Sequence, residues 1–211
     1  MQIYYLNTDL LRDNALFDRM LAQCSNRRAA RIREIRSERE RRNRLAASCL
    51  LDVALRTRQT REKDAVYVYS DAGKPEIPAL QDFYFSISHS GSTAVLAVSD
   101  VPVGVDVQKP DPIPDKLLRR YFTPRETASA KSGRLWTLKE SYGKLTGEGV
   151  AVLERTELSF DEEIRILRDG IVQPVCFREF RLENGCFLAT CFHENPSLSI
   201  EMIEVNRSDL I

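Results

Sequence analysis

The chain has 211 residues, 43% of them apolar, and its 31 basic and 31 acidic side chains cancel to a formal charge of zero. That balance excludes an intrinsically disordered chain and predicts a globular protein with one sizeable core or two small ones. Residues 1–9 carry no basic leader ahead of an apolar run, and no apolar stretch nears the roughly 20 residues a membrane helix needs, so a cytoplasmic protein without a membrane partner is expected.

From about residue 8 to residue 58 apolar side chains recur at helical spacing, first Leu10, Leu11, Leu16, Phe17, Met20 and Leu21, then Ile32, Ile35, Leu45, Cys49 and Val53. Between Arg27 and Arg44 this stretch holds nine arginines, at positions 27, 28, 31, 33, 36, 39, 41, 42 and 44, against three glutamates. A solvated, salt-bridged helix accounts for most of them, but a subset can converge on an anion. Residues 66–69 then read as a strand, and 70–75 as a loop by their turn residues. Residues 83–90, 93–98 and 103–107 read as three strands joined by Gly91 and by Asp100-Val101-Pro102.

After the proline-rich residues 109–114 the helical pattern returns. Thr123-Pro124-Arg125-Glu126 is a helix start, with a threonine cap, proline in the first turn and a glutamate placed to close a capping box. The helix carrying Trp136 is expected to end at Gly147. Strands are predicted at 158–160, 164–167, 175–177, 186–192 and 198–205, with Asp169-Gly170 and Asn184-Gly185 as hairpin turns. Each half thus reads helices first and strands afterwards. This order predicts an α+β fold of two similar halves, residues 1–105 and 106–211. The five cysteines, at 24, 49, 176, 186 and 191, include no Cys-x-x-Cys pair and suggest neither a disulfide framework nor a zinc cage.

Two segments carry chemistry. In Val103-Gly104-Val105-Asp106-Val107-Gln108, alternation sends the valines to one face and Gly104, Asp106 and Gln108 to the other. A carboxylate beside a second oxygen ligand, with glycine leaving room, suits Mg²⁺, which takes a few protein oxygens and keeps water and substrate phosphate for the rest. Further on, Trp136, Glu140 and Lys144 recur every fourth residue and share a helix face, with Lys139 adjacent. Glu140 can complete a metal site or accept a proton, and Lys144 can neutralise a phosphate oxygen. Either segment alone fits a plainer reading, a polar-faced edge strand and a surface Glu-Lys pair. His89, flanked by Ser88 and Ser90, closes a strand as a polar tip that can cradle phosphate.

The order Gly73-Lys74-Pro75, Ile87-Ser88-His89-Ser90, Gly104-Val105-Asp106-Val107-Gln108 and Trp136-x-x-Lys139-Glu140-Ser141-x-x-Lys144-x-x-Gly147 closely resembles the 4′-phosphopantetheinyl transferases, in their larger, surfactin-synthetase-activating class. The resemblance covers roughly residues 27–150. It implies a monomer of two α+β halves related by a pseudo-twofold, with coenzyme A between them. It also implies transfer of the phosphopantetheine arm to a serine of an acyl or peptidyl carrier protein, with release of adenosine 3′,5′-bisphosphate. Carried over residue by residue, Asp106, Gln108 and Glu140 hold Mg²⁺, His89 and Lys144 meet phosphate oxygens, and Lys74 and Ser88 line the nucleotide. Lys139 joins the cofactor-binding set, and Arg44, Arg28 and Arg31 meet the 3′-phosphate. Glu140, directly or through water, takes the serine proton. The family often has glutamate where this chain has Gln108, a neutral and weaker ligand. The alternative is therefore a non-catalytic coenzyme A or nucleotide-binding homologue with a weakened metal site. A nucleic-acid surface on the arginine helices would leave the strand acid, the Trp136 helix and the Lys74 loop unexplained.

Overall fold

The computed structural model describes residues 1–71, 73–193 and 198–211; Ala72, within the loop read at 70–75, lies outside them. The chain opens with a strand that periodicity did not reveal, β1 (Gln2–Asn7). Ile3, Tyr4 and Leu6 are all buried, so both faces of β1 are covered and the polar alternation of a half-exposed strand is missing. Three helices follow, α1 (Asn14–Gln23), α2 (Asn26–Glu34) and α3 (Glu38–Arg56). Asp13, Ser25 and Ser37 start them by accepting first-turn N–H groups on their side chains. A small hairpin, β2 (Val68–Tyr69) and β3 (Pro75–Glu76), shortens the strand read at 66–69. Then come β4 (Tyr84–Ser90), β5 (Thr93–Ser99) and β6 (Val103–Gln108).

The second half begins with α4 (Asp115–Tyr121), α5 (Pro124–Ser129) and α6 (Ser132–Thr146). The Thr123–Glu126 capping box forms, and Gly147 ends α6 at φ 75°. The strands β7 (Thr156–Phe160), β8 (Ile164–Arg168), β9 (Ile171–Val172), β10 (Val175–Arg181), β11 (Phe187–His193) and β12 (Glu201–Glu204) precede a final turn of helix, α7 (Arg207–Leu210). Asp169-Gly170 and Asn184-Gly185 lie in the turns joining β8 to β9 and β10 to β11. The expected order, helices first and strands afterwards, needs correction at both β1 and β6, each of which precedes its helices. Among the described residues no helix is long and apolar enough to cross a membrane.

Strand alternation sorts the core into layers. One sheet runs β12-β1-β5-β4 and a second runs β10-β11-β6. Tyr4, Leu6, Phe85, Ala94 and Leu96 turn from the first sheet to α1–α3. Ile3, Val95 and Ala97 turn the other way, to meet Val103, Val105, Val107 and Leu188 of the second sheet. The outer face of that sheet, with Ala189 and Cys191, packs on Leu135, Leu138, Tyr142 and Leu145 of α6. Helices therefore cover the outside of two facing sheets. The order β1-β5-β4 under α3 matches β6-β11-β10 under α6, while β12 returns to pair in parallel with β1.

Gly104 sets the distance between α6 and β6. A Cβ there would lie 1.9 Å from the Ser141 carbonyl oxygen and 2.5 Å from the Leu145 nitrogen. Only glycine lets the helix backbone lie this close to the strand. The close approach brings the side chains of α6 onto Asp106, the next residue of β6 on the same face.

Candidate active site

The site forms where the serine edge of β4 meets the free edge of β6. Ser86, Ser88 and Ser90 share one face of β4. Ser86 Oγ accepts from Val105 N at 3.0 Å, and Ser90 Oγ accepts from Lys109 N at 3.1 Å. These hydroxyls satisfy edge N–H groups that a sheet boundary would otherwise leave unpaired. Between them Ser88 donates to Asp106 Oδ1 at 2.6 Å, and Ser90 donates to Gln108 Oε1 at 3.2 Å.

Asp106 is 5% exposed. Its Oδ1 also receives Lys144 Nζ at 2.6 Å, while Oδ2 is buried and makes no hydrogen bond among the described residues. A buried carboxylate oxygen with its lone pairs free is costly unless a cation or donor completes it. Glu140, one turn before Lys144 on α6, is pushed up to about 7 by burial and then by the Asp106 charge, against the pull of Lys144. Near neutral pH this carboxyl is thus poised between acid and base. Among the described residues no three His, Cys, Asp or Glu side chains gather as a metal cluster. A cation here would have two carboxylates and the Gln108 amide, with water and substrate for the rest.

His89 points from the opposite face of β4 toward α3. Its Nε2 lies 3.6 Å from Glu40 Oε1, which also accepts from Arg44 Nε at 2.8 Å. Burial holds the imidazole below its usual value, opposed by the Glu40 carboxylate. Lys74 donates to the carbonyls of Val103 at 3.2 Å and Leu145 at 3.3 Å, pinning the β2–β3 loop across the end of α6.

The arginines differ in availability. Arg28 is committed inside the first half, paired with Glu62 at 2.8 Å, bonded to Ser48 and set 5.1 Å over the Tyr67 ring. Arg31 and Arg44 are exposed. Neighbouring positions on α6 part company too. Trp136 packs its ring against Tyr121 and Phe122 instead of the cleft.

Lys139 requires a correction. It does not face a ligand: it is 1% exposed, donates to Tyr121 O at 2.5 Å and Thr156 O at 2.6 Å, and pairs with Glu126 at 3.0 Å. Its three donors are used, and Glu126 spends its other bonds on Thr123 N and Leu158 N. The consecutive residues Lys139 and Glu140 point about 100° apart on a helix, so sequence adjacency to the site placed Lys139 wrongly. Glu126, which holds this buried pair together, was read only as a capping residue. A Lys139→Met variant should lose about 3–5 kcal/mol of stability in denaturant unfolding, because Glu126 is left as a buried, partly paired charge. A loss below 1 kcal/mol would contradict this role.

Comparison with known proteins adds to the geometry. A model of the 4'-phosphopantetheinyl transferase superfamily matches residues 102–191. A Bacillus subtilis 4'-phosphopantetheinyl transferase is 28% identical, across 90% of this chain and 92% of its own. The 4'-phosphopantetheinyl transferase Sfp of Bacillus subtilis strain 168 is 28% identical, across 75% and 76%. The 4'-phosphopantetheinyl transferase psf-1 of Bacillus pumilus reaches 37%, across 56% and 57%.

Proposed function

Since the chain belongs to the 4'-phosphopantetheinyl transferase superfamily, we propose that it transfers the 4′-phosphopantetheine arm of coenzyme A to a serine of an acyl or peptidyl carrier protein. Adenosine 3′,5′-bisphosphate is released. The observation that carries the reading is Glu140, its carboxyl near 7 and set beside Asp106 and Lys144.

The serine oxygen bonds to the pantetheine-side phosphorus of the pyrophosphate, and the bond from that phosphorus to the bridging oxygen breaks. Glu140 takes the hydroxyl proton as the new bond forms. Lys144 follows the negative charge onto the departing bisphosphate and can give it a proton. His89 meets a phosphate oxygen from the α3 side. Arg44 and Arg31, both exposed, are the arginines available to the 3′-phosphate, since Arg28 is held by Glu62 and Ser48. Lys74 and Ser88, whose donors are engaged on carbonyls and on Asp106, shape the wall beside the nucleotide.

The residues fit Mg²⁺: Asp106 with its unpartnered buried oxygen, Glu140, and the Gln108 amide would hold it. Such an ion supplies charge neutralisation on the pyrophosphate. A Gln108→Glu variant is expected to reach half-maximal transfer at several-fold lower Mg²⁺. An unchanged requirement would place residue 108 outside the metal shell.

The two-half organisation, expected as residues 1–105 and 106–211 about a pseudo-twofold, belongs to the same proposal, with the boundary moved ahead of β6, all of which lies in the second sheet. The matching strand orders under α3 and α6 support it, with β12 and α7 returned to the first half. We read the protein as a cytoplasmic monomer. The non-catalytic alternative is not favoured, because Asp106, Glu140 and Lys144 are all present and adjacent. Incubation with apo carrier protein, coenzyme A and Mg²⁺ tests the function: a carrier heavier by one phosphopantetheine supports it, and binding without transfer supports the alternative.

A further inference from the structure

Glu40, in the first turn of α3, does not make the bond its position predicts. Ser37-Glu38-Arg39-Glu40 has the spacing of a capping box, in which the glutamate would accept the Ser37 backbone N–H. Half of that box is built: Ser37 Oγ accepts from Glu40 N at 3.3 Å. The return bond is not formed among the described residues, whereas in α5 the Glu126 carboxylate does make it. Instead, Glu40 Oε1 lies between Arg44 Nε at 2.8 Å and His89 Nε2 at 3.6 Å. One acidic oxygen thus occupies the gap between two groups that the proposed function assigns to phosphate. Lys144 and Asp106 act on His89 from the other side.

We propose that Glu40 is a specificity-determining residue, an internal anion that holds the phosphate seat between Arg44 and His89 until the ligand's own phosphate displaces it. The carboxylate has a second seat ready. Rotating back to the Ser37 N–H completes the capping box and places negative charge at the N-terminus of α3, where the helix dipole favours it. Displacement therefore costs little when a phosphate dianion takes over the Arg44 charge and the place beside the His89 ring nitrogen, and is unfavourable for a ligand with nothing to offer Arg44. The seat stays closed to neutral and weakly anionic ligands. Because occupancy by Glu40 lowers the fraction of protein ready to bind, it weakens the apparent affinity for the correct ligand while sharpening the choice.

This inference rests on the coenzyme A reading, and calorimetric titration separates the two. Coenzyme A and dephospho-coenzyme A, which lacks only the 3′-phosphate, are each titrated into the wild type, Glu40→Gln and Glu40→Ala, with thermal melts to confirm folding. Removing the internal anion should tighten coenzyme A about three- to ten-fold in both variants and leave dephospho-coenzyme A unchanged. Weaker binding of coenzyme A by both folded variants would show that Glu40 positions His89, and would overturn the proposal. So would equal tightening of both ligands. If the wild type bound neither ligand, the coenzyme A reading itself would fail.

Discussion

Replacing Glu140 with glutamine should abolish transfer and still make the metal-free protein more stable at pH 8. The loss of activity follows from the role of Glu140: removing a positioned general base costs roughly 10²–10⁴-fold. The gain in stability follows from its surroundings. Burial and the Asp106 charge raise the folded carboxyl from its ordinary 4.5 to about 7. Below pH 4.5 folded and unfolded chains both carry the proton, and the group contributes no difference. Between 4.5 and 7 the folded chain holds a proton that the unfolded chain has lost, so stability falls as pH rises. Above 7 both are ionised and the full cost of the buried charge is present, about 3 kcal/mol. Glutamine carries none of this cost. The variant's advantage in denaturant unfolding should therefore be near zero at pH 4 and reach its plateau by pH 8. A variant equally or less stable at pH 8, or one retaining near wild-type transfer, would remove Glu140 from the role assigned to it.

Gly104→Ala should be the most damaging single methyl in the chain. The added carbon would fall 1.9 Å from a backbone oxygen and 2.5 Å from a backbone nitrogen of α6. Neither belongs to a flexible side chain that could turn aside. The helix must slide off β6, opening the contacts of Leu135, Leu138 and Leu145 with the second sheet and pulling Lys144 from Asp106. Overpacking of this kind costs about 3 kcal/mol or more. The expected outcome is a protein that is largely insoluble, or one with a sharply lowered unfolding midpoint and little activity. A variant within 1 kcal/mol of wild type would mean that α6 is less tightly fixed on β6 than this structure has it.

How much of this was legible in the sequence depends on the reach of each interaction. The face of β6 and the stripe Glu140–Lys144 are local patterns, so Asp106, Gln108 and Glu140 could be singled out before the fold was known. The capping box of α5 and the glycine stop of α6 are local as well, and both formed. What escaped depends on distant partners. β1 is buried because α1–α3 cover one of its faces and β6 and β11 the other, and β6 lies about 100 residues away along the chain. Lys139 is structural because Glu126, Tyr121 and Thr156 surround it, none of which its own helix reveals. Glu40 was one of three acids among nine arginines, and only the approach of β4 to α3 singles it out. The serines of β4 carried a partial signal: their period of two marked a common face, but the strand they serve is identified only by the packing of the two sheets.

The central claim is that the seam between β4, β6 and α6 moves a phosphopantetheine group. Its most direct test is intact-mass measurement of apo carrier proteins after incubation with this protein, coenzyme A and Mg²⁺, with the nucleotide product quantified in the same reaction. The account predicts a gain of one phosphopantetheine on the carrier serine, matched one for one by adenosine 3′,5′-bisphosphate and lost in Glu140→Gln. Carriers left unmodified while coenzyme A is bound intact would contradict it.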